Sequence, residues 1–181
     1  MLVEAEVWTV AHTEQGNVVL IKPLGSETAV PIFIGQIEAQ AILIGLGSVP
    51  MPRPLTHDLL LSILDESKIV LERVEIIDFK NDTFYAQIQL KHGIKKMIID
   101  ARPSDAVALA VRKKCPIFIS EDVVNNTGIP LSSFSVENQD LSKIKKEKLE
   151  KDLKYAVDTE NYEEAARLRD QLEQFEKHSD S

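Results

Sequence analysis

A chain of 181 residues, 44% hydrophobic and 28% charged, has the composition of a folded globular protein, with room for one ordinary domain and a small appendage. Its formal net charge of −8 excludes a protein that holds nucleic acid by diffuse positive charge, because such binding rests on Lys and Arg neutralising phosphates. No run of about 18 apolar residues occurs, and Met1-Leu2-Val3-Glu4-Ala5-Glu6 lacks both the basic start and the apolar stretch of a signal peptide, so a cytoplasmic protein without a membrane partner is expected.

From Leu2 to Thr13 apolar and polar residues alternate, and Gln15-Gly16-Asn17 separates this segment from Val18-Val19-Leu20-Ile21, which predicts a β-hairpin. A third strand, Ala29 to Ile34, runs through Gly35 into a helix whose Ile37, Ala41 and Ile44 share one face. The prolines of Pro50-Met51-Pro52-Arg53-Pro54 forbid helix and lack ladder donors, so this stretch is an ordered loop. Thr56 is placed to N-cap the following helix, His57 to Ser67, with Leu60, Ile63 and Leu64 as its apolar stripe.

Three strands follow, Ile69 to Phe79, Thr83 to Lys91 and Ile94 to Asp100, with turns at Asn81-Asp82 and His92-Gly93, and they read as an antiparallel meander. Pro103 then opens a helix that reaches Arg112, and Pro116 to Ile119 is a last short strand. The single Cys115 is read as a buried or inert thiol. From Asn138 to Lys177 the chain turns charged and helical. Leu149, Leu153, Ala156 and Val157 form one stripe and Ala165, Leu168, Leu172 and Phe175 another, with a break at Asp158 to Asn161. Two short antiparallel helices fit that pattern; each is marginal alone, so the hairpin should bury its stripe against something else.

Chemistry concentrates where strands or loops enter helices, in Gly35 to Ala39, Arg53 to Asp58 and Asp100 to Ala106. Helix N-termini present free N–H groups and the positive end of a dipole, which suits phosphate or carboxylate; three such ends brought together could hold a phosphodiester. His57 is the natural general acid or base, because an imidazole titrates near working pH. Glu38, Asp58 and Asp105 could orient it, act as a base or hold a cation. Arg53 and Arg102 could neutralise charge on a phosphorane-like transition state, and Ser104 could donate to a phosphate oxygen. The competing reading is structural: Thr56 and Ser104 as caps, Asp58 and Asp105 as first-turn acids, and Arg102 paired with Asp105 or Asp58.

Other signals are weaker. His12, His57, His92 and His178 are scattered, and no metal motif or glycine-rich phosphate loop is present. The cofactor stays unknown, with Mg²⁺ between two carboxylates as the one option, unsupported by spacing. Basic patches could form from Lys91, Lys95 and Lys96 at one turn, or from Arg112, Lys113 and Lys114 at a helix end, though solvated turn and C-cap charges are the better expectation for both. Trp8, Phe33, Phe84 and Tyr85 could stack bases, but core packing is the better expectation for most of them.

Taken in order, Ile32 to Ala39, Arg53 to Leu60, Phe84-Tyr85-Ala86 and above all Asp100-Ala-Arg-Pro-Ser-Asp-Ala-Val-Ala-Leu-Ala resemble the bifunctional nuclease domain over roughly 1–135. The resemblance implies a mixed α+β domain, dimeric, from a family whose members degrade both RNA and DNA; it supplies no firmly assigned catalytic residue. Leu149 to Val157 and Asn161 to Asp170 resemble the UVR motif of the excision-repair proteins UvrB and UvrC, a protein-interaction hairpin. The expected fold class is therefore α+β, a mixed, mainly antiparallel sheet with packed helices over 1–135, then a linker and α-helical hairpin over 136–181. The expected function is hydrolysis of RNA or DNA, with Glu38, His57, Asp58, Arg102 and Asp105 in catalytic roles and Arg53 and Ser104 on the substrate. The rival is a non-enzymatic dimeric scaffold whose hairpin recruits a repair or stress-response partner.

Overall fold

The computed structural model describes residues 1–133. The chain divides into two units, Met1–Leu131 and Ser132–Ser181, and the first contains every element below. The helical hairpin expected from Asn138 to Lys177 lies outside the described residues.

Strands β1 (Leu2–Thr13), β2 (Gly16–Pro23) and β3 (Thr28–Ile34) lead into helices α1 (Gln36–Leu46) and α2 (Thr56–Glu66). Strands β4 (Val70–Lys80), β5 (Thr83–His92) and β6 (Lys95–Ala101) precede α3 (Pro103–Lys113). The chain then forms β7 (Ile117–Ser120), α4 (Glu121–Thr127) and a two-residue β8 (Ile129–Pro130). The strands make one sheet in the order β6-β5-β4-β7-β1-β2-β3-β8. Every pairing is antiparallel except β4 with β7, where Val74, Glu75 and Ile76 face Ile117, Phe118 and Ile119 in parallel register. The fold is thus α+β with a mixed, mainly antiparallel sheet.

The meander forms where turn chemistry predicts it. Asn81 and Asp82 both adopt positive φ, 49° and 56°, as a two-residue hairpin turn matched to strand twist requires. The continuous apolar run Val18 to Ile21 is buried at every position, the signature of a strand covered on both faces. On α3, Ala106, Val107, Leu109 and Ala110 are buried, and this small-residue surface packs against β4 and β5 and against both α1 and α2. Helix α3 is the hub that draws the other two helix starts together.

Several local expectations are corrected. The apolar positions expected to share a face on α1 and α2 do not all meet the core: Ile37, Leu60 and Ile63 are exposed, and the buried positions are Ala39, Ile42 and Gly45 on α1 and Leu64 on α2. The N-cap of α2 is Leu55, not Thr56, which is already helical. The Asp58 carboxylate accepts the Leu55 backbone N–H at 2.9 Å, so the helix is capped from inside its first turn and starts one residue earlier. Helix α4 and strand β8, which follow β7, were not anticipated.

Candidate active site

Side chains from the first turns of α1, α2 and α3 meet around the Arg102–Asp105 pair. Pro103 stands at the first position of α3 with Arg102 as N-cap, an arrangement in which proline gives up no helical hydrogen bond. The Arg102 guanidinium, 65% exposed as a side chain, donates from Nε to Asp105 Oδ2 at 2.7 Å and from Nη2 to Asp105 Oδ1 at 3.0 Å. Its Nη1 donates to Glu38 Oε1 on α1 at 3.1 Å. His57 Nε2, on α2, lies 3.6 Å from Asp105 Oδ1. Gly35 caps α1, and a side chain there would collide with the Glu38 carboxylate.

The electrostatics follow from the fork geometry. The bidentate hydrogen bonds from Arg102 hold the Asp105 carboxyl below the usual aspartate range against the opposing effect of burial, with the His57 side chain adding to the lowering. The same contacts, those to Asp105 first and to Glu38 second, raise the Arg102 pKa further and keep its charge fixed. The cluster therefore offers a permanent cation, two carboxylates and one imidazole that can exchange a proton.

Of the residues singled out in the sequence, Glu38, His57, Arg102 and Asp105 come together here. Asp58 belongs to a second arrangement: its Oδ1 accepts from Arg112 Nε at 2.9 Å, and Asp58 and Arg53 both line a separate cleft of about 480 Å³. Ser104 is buried in the first turn of α3, 7% exposed. Among the described residues, no three His, Cys, Asp or Glu side chains gather in a way that could hold a metal ion.

The basic helix end expected at Arg112 to Lys114 is largely spoken for. The Arg112 side chain is 7% exposed and bound to Asp58, Lys113 pairs with Asp65 at 2.6 Å, and Lys114 is the left-handed C-cap of α3. At the other turn Lys91 reaches Glu72 at 3.7 Å. Core packing fails for two of the four aromatic residues considered. Phe33 and Tyr85 are exposed, whereas the Phe84 ring packs 4.5 Å from that of Phe79. Cys115 is partly buried, and burial pushes its thiol up to about 11, in keeping with an inert role. Sequence reasoning missed the Asp58–Arg112 pair, whose partners stand 54 residues apart with no spacing rule to join them.

The family model for the bifunctional nuclease domain matches residues 18–132, and that for the UvrB/UvrC motif matches residues 143–177. An uncharacterized protein of Mycobacterium tuberculosis is 37% identical over 128 residues, 71% of this chain and 76% of that protein. Bifunctional nuclease 1 of Oryza sativa subsp. japonica is 26% identical over 83% of this chain and 52% of its own length. Bifunctional nuclease 2 of Arabidopsis thaliana is 24% identical over 91% of this chain and 57% of its own. The matches thus span about half of the plant proteins. An α+β domain with a polar cluster at converging helix starts, followed by a UVR motif, is the class so defined. The chain belongs to the bifunctional nuclease domain family. No helix among the described residues is long and apolar enough to cross a membrane.

Proposed function

We propose that this chain is a nuclease that hydrolyses phosphodiester bonds in RNA or DNA, with the Glu38–His57–Arg102–Asp105 cluster as its active site. The observation that carries the reading is that side chains from the first turns of three helices, Glu38, His57 and Asp105, gather at Arg102 and its partner carboxylate, an arrangement whose exposed guanidinium suits a phosphate. The hydrogen bonds of Arg102 use three of its five N–H donors, which leaves two for phosphate oxygens. With Nε2 of His57 turned to Asp105, Nδ1 is the nitrogen that exchanges a proton with the attacking water or the leaving oxygen. Glu38 and Asp105 position Arg102, while Asp58, tied to Arg112 and to the cap of α2, sets the orientation of the turn that carries His57. A Mg²⁺ ion drawn to Glu38 and Asp105 would have to displace the guanidinium they share, so cleavage is expected to be measurable without it.

The test is cleavage of labelled single-stranded RNA and DNA, with and without Mg²⁺, by wild type and by His57→Ala, Arg102→Ala and Asp105→Ala variants of verified fold. Wild-type activity lost in the variants supports the site; variants that cleave as well as wild type overturn it.

A second reading, a non-enzymatic dimeric scaffold, draws on the edge strand β6, whose Ile98 and Ile99 are both exposed. An open, apolar edge invites pairing with a second copy. Monomeric behaviour in sedimentation, unchanged by Ile98→Lys, would remove that support. Recruitment of a partner protein through the UVR motif is compatible with either reading.

A further inference from the structure

The cleft beside the cluster has features the catalytic proposal does not use. It lies between the C-terminal half of α1, the proline loop and α2, and Arg112 at the end of α3 contributes to its lining. The buried Arg112 side chain donates from Nε to Asp58 and from Nη1 to the carbonyl oxygens of Ala41 at 2.8 Å and Ala108 at 2.9 Å. Its Nη2 is buried with no hydrogen-bond partner. An orphaned donor on a buried cation is costly and rare, and it calls for an acceptor supplied from elsewhere. Gly45 in the same lining makes room for this side chain: a Cβ there would stand 2.9 Å from Arg112 Nη1.

Charge and shape narrow the acceptor. Asp58 is balanced by Arg112 and Asp65 by Lys113, while Arg53, exposed on the proline loop, has no ion-pair partner among the described residues. The four charged lining residues sum to zero, but because Lys113, outside the lining, neutralises Asp65, the charge of Arg53 is left without a partner among the described residues. The apolar walls of the cleft include Ile44, Met51, Pro54 and Leu61. The volume, about 480 Å³, lies within the range of roughly 300–1,000 Å³ usual for small-molecule sites. An occupant should then combine a flat apolar body, a neutral acceptor for Nη2 and an anionic group for Arg53.

We infer that this cleft is a nucleotide subsite, which receives one nucleoside monophosphate unit with an oxo-bearing base turned to Arg112 and its phosphate at Arg53. The ligand class rests on the nuclease reading above: Asp58 of the cleft and His57 of the cluster both belong to the first turn of α2, which links the two sites through one helix end. Nη2 is covered by neighbouring atoms, so binding includes a small shift of the lining side chains. An oxo group offers two lone pairs to the two N–H groups of Nη2, whereas each ring-nitrogen acceptor of adenine offers one and its exocyclic amine only donates. Guanine and uracil are therefore preferred over adenine.

Calorimetric titration of the full-length protein with GMP, UMP, AMP, guanosine and inorganic phosphate tests the inference. GMP or UMP should bind with a Kd below about 1 mM, the millimolar level marking weak but specific association, and at least fivefold more tightly than AMP, guanosine or phosphate. Arg53→Gln, an exposed change that leaves the fold intact, and Arg112→Lys, checked by its melting curve, should each weaken binding at least tenfold. If wild type cleaves nucleic acid yet binds no mononucleotide, or binds AMP or phosphate as well as GMP and UMP, the subsite is overturned and the nuclease reading stands. If GMP or UMP binds with the expected dependence on both arginines but the protein cleaves nothing, the subsite stands and the nuclease reading falls.

Discussion

Oδ1 of Asp105 is shared between two partners: it accepts a hydrogen bond from Arg102 Nη2 at 3.0 Å and faces His57 Nε2 at 3.6 Å. One carboxylate thus orients both the group that would meet the phosphate and the group that would move the proton. If the cluster is catalytic, His57→Ala should lower the cleavage rate by roughly 10²–10⁴-fold, the usual scale for a positioned acid or base. Asp105→Asn should cost less, about tenfold, and shift the pH profile of kcat/KM. Rates measured from pH 5 to 9 on variants with wild-type melting temperatures check both.

Arg102 predicts a salt signature. Removing one phosphate contact to a single strand should reduce the slope of log K against log salt by about 0.7, so Arg102→Ala should bind single-stranded oligonucleotide with a shallower salt dependence. Its loss of rate should be about 10²–10³-fold, as for removal of one charge-stabilising donor. Anisotropy titrations at several salt concentrations read the first quantity.

Glu75 makes a prediction about stability rather than activity. Its side chain is buried, and burial pushes its pKa up, but hydrogen bonds from Gln87 (2.5 Å), Arg73 (2.6 Å) and Gln89 (3.0 Å) outweigh that and hold it below the usual glutamate range. A folded-state pKa that is depressed contributes stability above the unfolded value, about 4.3, and loses it as pH falls through the folded value. Glu75→Ala should therefore cost roughly 2–3 kcal/mol at pH 7, and the gap from wild type should narrow below about pH 4. Urea unfolding at pH 7, 5 and 3 measures it.

At Gly45 the constraint is steric. An added Cβ would stand 2.6 Å from Val111 Cγ2 and 2.9 Å from Arg112 Nη1, so these two side chains must shift to admit it, and the buried hydrogen bonds of Arg112 shift with them. Gly45→Ala should destabilise the domain by about 1–3 kcal/mol, the overpacking cost, despite alanine's better helix propensity. Thermal unfolding decides the sign.

Cys115, with its thiol raised to about 11 by burial, carries little thiolate at pH 8. Its reaction with an aromatic disulfide reagent should be at least tenfold slower in the native protein than in denaturant, since reactivity follows thiolate fraction and access. Equal rates would show an open site.

Much of this architecture was legible because its signals are local. Asn81-Asp82 marked one turn, Pro103 marked the start of α3, and the alternation of Val3, Ala5 and Val7 marked β1. The cluster was legible as a set of helix starts, though the bonds within it were not: Glu38 and Arg102 are separated by 64 residues, and only the packing of α3 against α1 and α2 joins them. In the sequence Asp58 ranks with Glu38 and Asp105 as an acid that could orient His57, act as a base or hold a cation. In a helix, consecutive residues point about 100° apart, and Asp58 turns to Arg112 instead. Helix α4 escaped notice because its seven residues hold too few apolar positions to show a helical period.

Strand β7 is four residues long and pairs with β1 on one side and β4 on the other, so among the described residues it is the strand that joins the β1-β2-β3 and β4-β5-β6 halves of the sheet. During synthesis both halves leave the ribosome before the segment that closes them. Until Ile117 to Ser120 emerges, the inner edges of β1 and β4 stand open, the kind of exposure that promotes association between nascent chains. Closure depends on contacts distant in sequence, which places the slow step of folding late. A chain interrupted shortly before Ile117 would hold its two half-sheets together chiefly through the packing of α3 on α1, β4 and β5, with the strand edges of β1 and β4 left open to other chains.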